Sequence, residues 1–446
     1  MPPPRIGSGC RYLAAAGTAV AIEGNGMHQS GSSETSVNVT SRLFVMMFLQ
    51  FFVWGAWYVS MGPFLNANEG LKDALAWAYS LVPIAAIISP FFLGIVADRF
   101  FATERVLGVL HILGGIALLA VPQIAEQGPN AFLAVVGFHA LCYVPTLGLT
   151  NSVAFHAITN QEKQFPLIRV GGTIGWIVAG IIISSVLHAD TAATQFQVAG
   201  AAGILLGLYS FSLPHTPPAS RGKAVSTKDI LGLDALALLK SPSFAVFVLC
   251  SFLICIPLAG YYALGATFVG GLKDSAGEAV FKDIATTMST GQMSEIFFML
   301  VMPFFFAKLG VKKMLLVGML AWVIRYGAFA AAADSGNRPL VFLGILLHGI
   351  CYDFFFVTGQ IYVDKQAPVA IRSQAQGFLV LVTQGLGMFI GAQVIGKIQE
   401  AYTKGDVVNW GSLWVVPAVA AGVVMLIFAA AFKDVKSSDN SSALAH

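Results

Sequence analysis

The sequence contains few charged residues. Asp, Glu, Lys and Arg make up 11% of the 446 residues, whereas 57% are hydrophobic, and the mean hydropathy is +0.76. Soluble domains carry about a quarter charged residues. The net charge is only +3 and no basic run occurs, so the composition excludes a nucleic-acid-binding surface. It is typical of a multi-pass membrane protein.

Cysteine pairs and catalytic motifs are also missing. The five cysteines show no CxxC spacing, so neither a disulfide framework nor a zinc site is indicated. The sequence contains no HExxH, no Cys/His cluster and no residue pair typical of an intramembrane protease. We therefore expect a protein that is not an enzyme and that has no metal and no cofactor.

Polar segments are confined to the two ends and one central stretch. Residues 1–40 are predicted to be a disordered N-terminal tail, with Met27 as an alternative start, and residues 434–446 a second polar tail. The Pro-rich and charged stretch 214–242 is predicted to be a central loop. It divides the chain into an N-terminal half, 41–213, and a C-terminal half, 243–433.

The two halves contain long apolar stretches. A helix needs about 20 mostly apolar residues to cross a bilayer, and by that measure each half has six spans. The predicted fold is therefore all-α and integral to the membrane, with twelve transmembrane helices near 43–65, 76–96, 104–123, 131–155, 168–188, 193–213, 243–268, 284–306, 313–333, 339–361, 374–397 and 411–432.

The positive charges orient these spans. Most of the 25 lysines and arginines fall in the tails, the central loop and the other loops on the same side. Because cytoplasmic loops carry the excess of Lys and Arg, we expect both termini and the central loop to lie in the cytoplasm. The predicted location is the cytoplasmic (inner) membrane.

Polar side chains inside the spans are the candidate binding residues, because such groups are costly in lipid and usually face a cavity or one another. In the stretch GQMSEIFFMLVMPFFF, Gln292 and Glu295 lie three residues apart and share a helix face. Two further helix faces carry Arg169, Thr173 and Trp176, and His348 with Tyr352. Amide, carboxylate, hydroxyl, imidazole and aromatic groups together suit a flat, uncharged ligand with hydroxyls.

Two other buried ionisable residues have a structural alternative. Asp353 follows Tyr352 by one residue, about 100° around the helix, so it is expected to face a neighbouring helix. Arg325 lies inside the ninth span, and a structural charge pair between Arg325 and Asp353 is one interpretation. A role for Asp353 in proton coupling, second to Glu295, is the other.

The two six-span halves, with similar loops FPLIRVGGTIG and APVAIRSQAQG, resemble the major facilitator superfamily, as does the turn GIVADR. More specific blocks occur along the chain, among them YVPTLGLTNSVAF, ILGLDALALLK, QMSEIFFMLVMPFFF and IRSQAQGFLVLVTQGLG. With these the sequence resembles the nucleoside:proton symporter family, the bacterial nucleoside permeases.

The resemblance implies a substrate site and marks where this chain departs from the family. It places Arg169, Thr173, Gln292, Glu295, Tyr352 and Asp353 at the cavity. Tyr262 stands near the position of a family amide, His348 replaces a tyrosine, and Trp176 replaces a phenylalanine. The contacts to ribose and base are therefore altered.

The predicted function is import of nucleosides by proton symport and alternating access. A carboxylate removed from water takes up a proton more readily, and Glu295 is the first choice for proton coupling. Alternatives are a symporter or facilitator for a sugar, a modified nucleoside or another hydroxylated solute, and a membrane receptor that does not transport. The expected partners are the solute, a proton and membrane lipid, with no nucleic acid, and the protein is expected to be a monomer.

Overall fold

The chain folds into long helices. A computed structural model describes residues 30–92, 101–159, 161–218, 233–368 and 371–433. The helices of the N-terminal half are α1 Ser30–Trp57, α2 Met61–Ala67, α3 Leu75–Phe92, α4 Thr103–Ala125, α5 Pro129–Ala157, α6 Gln161–Ile181 and α7 Thr194–Ser210. A 3₁₀ turn covers Glu69–Ala74, and a π-helical segment, Ile182–Val186, extends α6.

The C-terminal half follows a short 3₁₀ helix, Leu233–Lys240. Its helices are α8 Pro242–Gly271, α9 Ile284–Ala332, α10 Arg338–Leu346, α11 His348–Cys351, α12 Thr358–Gln366, α13 Arg372–Val380, α14 Met388–Ala401 and α15 Trp410–Ala431. The π-helical segments Tyr352–Val357 and Leu381–Gly387 join α11 to α12 and α13 to α14. A two-stranded antiparallel hairpin, β1 Thr403–Lys404 with β2 Val407–Val408, precedes α15.

The helices match the predicted apolar stretches because lipid forces the backbone to satisfy its own hydrogen bonds. Among the described residues, ten helical stretches are long and apolar enough to cross a membrane. One of them, α9, has 49 residues and contains a non-helical turn at Gly310, with φ 68°, so it covers two predicted spans. The 17-residue α7 covers another. The count of twelve crossings stays a prediction.

Some predicted segments differ from the structure or lie outside it. Helix α1 begins at Ser30, so the last eleven residues of the predicted tail 1–40 are helical. The GIVADR turn, residues 219–232 of the loop 214–242 and the tail 434–446 lie outside the described residues. The predicted tenth span is built from three short helical segments and a π turn.

Glycines let the helices of the N-terminal half approach closely. A methyl group at Gly171 of α6 would lie 2.8 Å from the carbonyl oxygen of Phe44 in α1. On the other side of the bundle, one at Gly115 of α4 would lie 2.7 Å from the carbonyl oxygen of Gly200 in α7. Small residues at helix crossings are common in membranes, where packing drives association. The Gly171 crossing holds α6, and hence Arg169 and its neighbours, against α1, and the Gly115 crossing holds α4 against α7.

A buried polar network fixes the middle of α1. The Gln50 amide donates to Thr146 Oγ1 at 2.8 Å, and its oxygen lies 2.7 Å from His111 Nε2. The hydroxyl of Tyr143 donates to the carbonyl oxygen of Gln50 at 2.7 Å. His139 packs on the Tyr143 ring and its Nδ1 lies 3.0 Å from the Gly114 oxygen. These groups form a structural network between helices, as we expect for polar side chains in a bundle core.

The described hydrogen bonds between the two halves cluster at one end of the molecule. We call it the outer end, following the orientation that the positive charges predict. There Gln393 of α14 donates to Ser80 Oγ of α3 at 2.9 Å. Lys72 Nζ lies 3.3 Å from Asp406 Oδ1 in an exposed ion pair. The two halves are therefore joined across the outer end.

Candidate substrate site

A cavity of about 490 Å³ lies between the two halves. Its walls come from α1, α3, α5 and α6 on one side and from α8, α9 and the helices of residues 348–388 on the other. All eight predicted substrate-binding residues line it: Arg169, Thr173, Trp176, Tyr262, Gln292, Glu295, His348 and Tyr352. The structure thus brings together side chains that are far apart in sequence. Contact between these side chains and a substrate stays a prediction.

The carboxylate of the cavity belongs to Glu295 on α9. Its side chain is 13% exposed, and its Oε2 lies 3.8 Å from Nε2 of His348. Gln292, one helical turn away, also faces the cavity, and its Oε1 has no hydrogen-bond partner among the described residues. The same is true of Nδ1 of His348. Buried polar atoms normally have partners, so a polar ligand has groups available to bind here.

The opposite wall carries the cation. The guanidinium carbon of Arg169 lies 4.2 Å from the centre of the Phe51 ring, within the range of a cation–π contact. Thr173 and Trp176 follow on the same face of α6, and Trp176 meets Trp54 edge-on at 5.5 Å between ring centres. The guanidinium group of Arg169 thus packs against the aromatic side chains of this wall, and Arg169 lines the cavity.

The aromatic face of α1 was missed in the sequence. Phe51, Trp54 and Tyr58 line the cavity, although the composition of their stretch, FFVWGAWY, is equally that of packing or lipid-facing surface. Their spacing of i, i+3 and i+7 is that of one helix face, but the apolar residues between them hide this signal in the sequence. The ring of Tyr58 lies 5.7 Å from that of Tyr262, so the aromatic wall continues from one half into the other.

The remaining wall is mostly apolar. It comprises residues of α3, α5 and the 377–388 region, which are Val82, Pro83, Ala86, Ser89, Pro90, Val144, Leu147, Gly148, Gly377, Val380, Leu381, Gln384 and Met388. Gln384 is the one amide in this group. A cavity with a few placed polar groups among apolar and aromatic ones is typical of sites for small organic molecules.

The predicted charge pair between Arg325 and Asp353 is wrong. Arg325 Nε donates to the carbonyl oxygen of Gly344 at 2.9 Å, and its guanidinium lies 4.0 Å from the centre of the Tyr261 ring. Asp353 is fully buried in the π segment, and neither of its carboxylate oxygens has a partner among the described residues. The Tyr261 ring and the carbonyl oxygen of Gly344 are thus the partners of Arg325, in place of the Asp353 carboxylate.

Arg325 reaches the cavity indirectly. The Tyr261 ring on which it lies is stacked at 5.3 Å on the imidazole of His348, which in turn approaches Glu295. Asp353 does not line the cavity. Of the two residues predicted for proton coupling, the structure therefore places Glu295 at the cavity and Asp353 behind it.

Two helical halves around a central cavity with a carboxylate, a cation and an aromatic wall define a membrane transporter of the major facilitator fold. The profile of the family described as "Nucleoside H+ symporter" matches residues 37–437. The chain therefore belongs to the nucleoside H+ symporter family, whose members are transporters and not enzymes.

Relatives match over nearly their whole length. The chain is 41% identical to the protein YegT of Escherichia coli (strain K12), over 91% of this chain and 95% of YegT. It is 32% identical to the nucleoside permease NupG of the same strain, over 89% of this chain and 96% of NupG. The crystal structure of the nucleoside transporter NupG superimposes with a TM-score of 0.80 at 31% identity, over 89% of this chain and all of that one.

Proposed function

We propose that the cavity binds a nucleoside and that Glu295 carries the proton that drives its import. The observation that supports this proposal is the convergence of polar and aromatic side chains from both halves on one cavity. Family membership gives the class, a proton-coupled nucleoside transporter that spans the membrane several times. The assignment of individual residues is our own.

The nucleobase lies against the aromatic wall in this proposal. Trp54 and Trp176 offer ring faces and edges, and base stacking on aromatic side chains is worth about 1–3 kcal/mol per base. The ribose then faces Gln292 and Glu295 of α9. The amide of Gln292 can accept a hydrogen bond from one ribose hydroxyl, and the protonated carboxyl group of Glu295 can donate one to the other, whereas an apolar solute would leave these groups without partners.

Proton coupling follows from the position of Glu295. Its carboxylate lies at the cavity wall, so it can exchange protons with whichever side the cavity opens to. A proton bound from outside lets Glu295 donate to the substrate, and its release inside removes that hydrogen bond. Substrate and proton thereby move together while the two halves rock about the central site, as in other transporters built from repeats.

The membrane setting is proposed as well. We place the protein in the inner membrane as a monomer, with both termini and the central loop in the cytoplasm. The excess of Lys and Arg on that side supports this orientation.

Uptake in cells that lack their own nucleoside permeases tests the proposal. We expect several labelled nucleosides to accumulate, and a protonophore to abolish their accumulation. A sugar included in the panel should not accumulate. Failure to take up any nucleoside together with uptake of the sugar would reverse the substrate assignment.

A single substitution tests the coupling residue. Glu295→Gln should abolish uphill accumulation yet retain exchange of external for internal nucleoside, because exchange needs no net proton movement. Glu400→Gln is the matched control, since that side chain is 73% exposed at the outer end. Undiminished uphill uptake by Glu295→Gln would remove Glu295 as the proton carrier.

A further inference from the structure

Another buried carboxylate lies outside the cavity, in the short connection between the π segment Ile182–Val186 and α7. Asp190 is only 7% exposed. The chain reaches it through His188, which has φ 49° and is the one described non-glycine residue with a positive φ. A side chain with this conformation marks a backbone held by its surroundings. The turn directs Asp190 toward the other half of the molecule.

Asp190 accepts hydrogen bonds from both halves. From its own half come the hydroxyls of Ser60, at 3.1 Å, and Ser184. From the C-terminal half come the backbone amides of Ile284, at 3.2 Å, and Ala285, at 3.0 Å. These two amides open α9, where no residue of the same helix can accept them. A carboxylate at a helix N-terminus is favoured by both hydrogen bonding and the helix dipole.

The cap is supplied across the boundary between the halves. Asp283, the residue that precedes α9 and would ordinarily provide the cap, makes no side-chain cap hydrogen bond. Its carboxylate instead lies 3.9 Å from His188 at the surface. The start of α9 therefore depends on Asp190 for its buried hydrogen bonds.

The contact between the two halves continues along α6 and α9 beyond the capped start of α9. The hydroxyls of Ser185 and Thr286 are 2.7 Å apart. One turn further along, a methyl group at Gly180 would collide with Ser289 Oγ and lie 3.1 Å from the carbonyl oxygen of Ala285. The outer ends of α6 and α9 are thus in close contact, and the capped amides of Ile284 and Ala285 lie seven to eleven residues before Gln292 and Glu295 on the same helix.

We propose that Asp190 is a positioning residue of the transport cycle, which holds the outer ends of the two halves together and must release α9 each time the site opens outward. The inference rests on the proposed alternating access. Helix α9 carries Glu295, so the same cap that closes the outer end also fixes the height and tilt of the helix that bears the carboxylate. Hydrogen bonds to a charged group are stronger than neutral ones, yet they exchange for water when the end opens.

Thiol labelling from outside tests this proposal. A Val82→Cys substitution places a thiol at the cavity wall, and a membrane-impermeant thiol reagent is applied to intact cells. Asp190→Ala, added to this background, should raise the labelling rate at least tenfold, the equivalent of one hydrogen bond to a charged group. Asp190→Asn should also raise the labelling rate, since the NH₂ group of the new side chain would face a backbone N–H, and two donors cannot form a hydrogen bond.

Asp283→Asn is the matched control. It removes a carboxylate one residue from the same helix start, whose described contact with the other half is the exposed 3.9 Å approach to His188. An exposed pair of this kind contributes little, so the labelling rate should stay close to that of the Val82→Cys parent. An unchanged rate in Asp190→Ala, or an equal increase in Asp283→Asn, would overturn the proposal.

Two further variants cover a failure of Asp190→Ala to reach the membrane. Ser60→Ala removes one donor from the carboxylate, and Gly180→Ala separates α6 from α9 sterically. Both should raise external labelling, and an unchanged rate in both would contradict the proposal. Because labelling requires no knowledge of the solute, its outcome is independent of whether the substrate is a nucleoside.

Discussion

A methyl group added at Gly349 would probe the packing directly behind Glu295. Gly349 lies in α11, where a Cβ atom would be 2.6 Å from the carbonyl oxygen of Ser294 and 2.8 Å from the amide nitrogen of Glu295. Non-bonded heavy atoms pack at about 3.5–4.0 Å, so Gly349→Ala requires the two helices to separate by about 1 Å. The amide of Gly349 also donates to Ser294 Oγ at 3.1 Å, and this bond would lengthen.

The expected cost follows from that displacement. Overpacking a well-packed interior costs about 1–3 kcal/mol, so the Tm of the purified protein should fall by several degrees. His348 and Glu295 are already 3.8 Å apart, and a further separation would move both groups away from a ligand that bridges them. We expect the KM for nucleoside uptake to rise about tenfold, which corresponds to about 1.4 kcal/mol of lost binding.

Thermal unfolding in detergent and initial uptake rates measure the two effects. The control is Gly327→Ala in α9, where a methyl group would have no atom within 4 Å. Both variants gain the same intrinsic helix propensity, so their difference isolates the collision. If Gly349→Ala unfolds at the same temperature and transports with the same KM as Gly327→Ala, then the close approach of these helices does not position Glu295.

Three other outcomes follow from the site and its surroundings. Trp54→Ala should raise the KM about tenfold through loss of base stacking, whereas Trp77→Ala, half exposed on the outer face, should not; equal KM values would remove Trp54 from the site. Asp353→Asn should leave the Tm unchanged or raise it, because it removes an unpaired buried carboxyl group; a drop of several degrees would reveal a bond that the structure does not contain. Lys72→Ala should leave the Tm unchanged, since its ion pair with Asp406 is exposed, and a clear decrease would contradict this.

The spans and the core of the cavity could be predicted from sequence because lipid imposes simple rules. Long apolar stretches become helices, and rare polar residues within them turn inward. Gln292 and Glu295 stand out for this reason, as does Arg169. Helical spacing then placed Thr173 and Trp176 beside the cation, and the structure has them at the same wall.

The aromatic wall could not be separated from lipid-facing surface by composition. Phe51, Trp54 and Tyr58 lie among other large apolar residues, and both lipid and a base-binding cavity accept aromatic rings. Only the helical phase distinguishes the faces, and a continuous apolar stretch hides that phase. Their place in the cavity depends on the partner helices, which the sequence of α1 does not contain.

The charge pair failed for a different reason. The angle between Tyr352 and Asp353 turns Asp353 away from the cavity, as in the structure, but an angle around one helix does not specify which residue of a neighbouring helix the carboxylate meets. In addition, Arg325 found an aromatic ring and a carbonyl oxygen, two partners that occur throughout such a sequence. The pairing of opposite charges is therefore not enough to predict the partners of Arg325 from the sequence.

The π turns have a consequence for how such a chain can change over time. A π turn is an α-helix that holds one extra residue, and the chain has such turns at Ile182–Val186, Tyr352–Val357 and Leu381–Gly387. Because the turn absorbs its extra residue locally, loss of one residue at Tyr352–Val357 would restore a regular α-helix there, while the segments on both sides kept their faces and the span still crossed the bilayer. Single-residue insertions and deletions at these turns can therefore change the side chains that the turn itself presents without altering the fold.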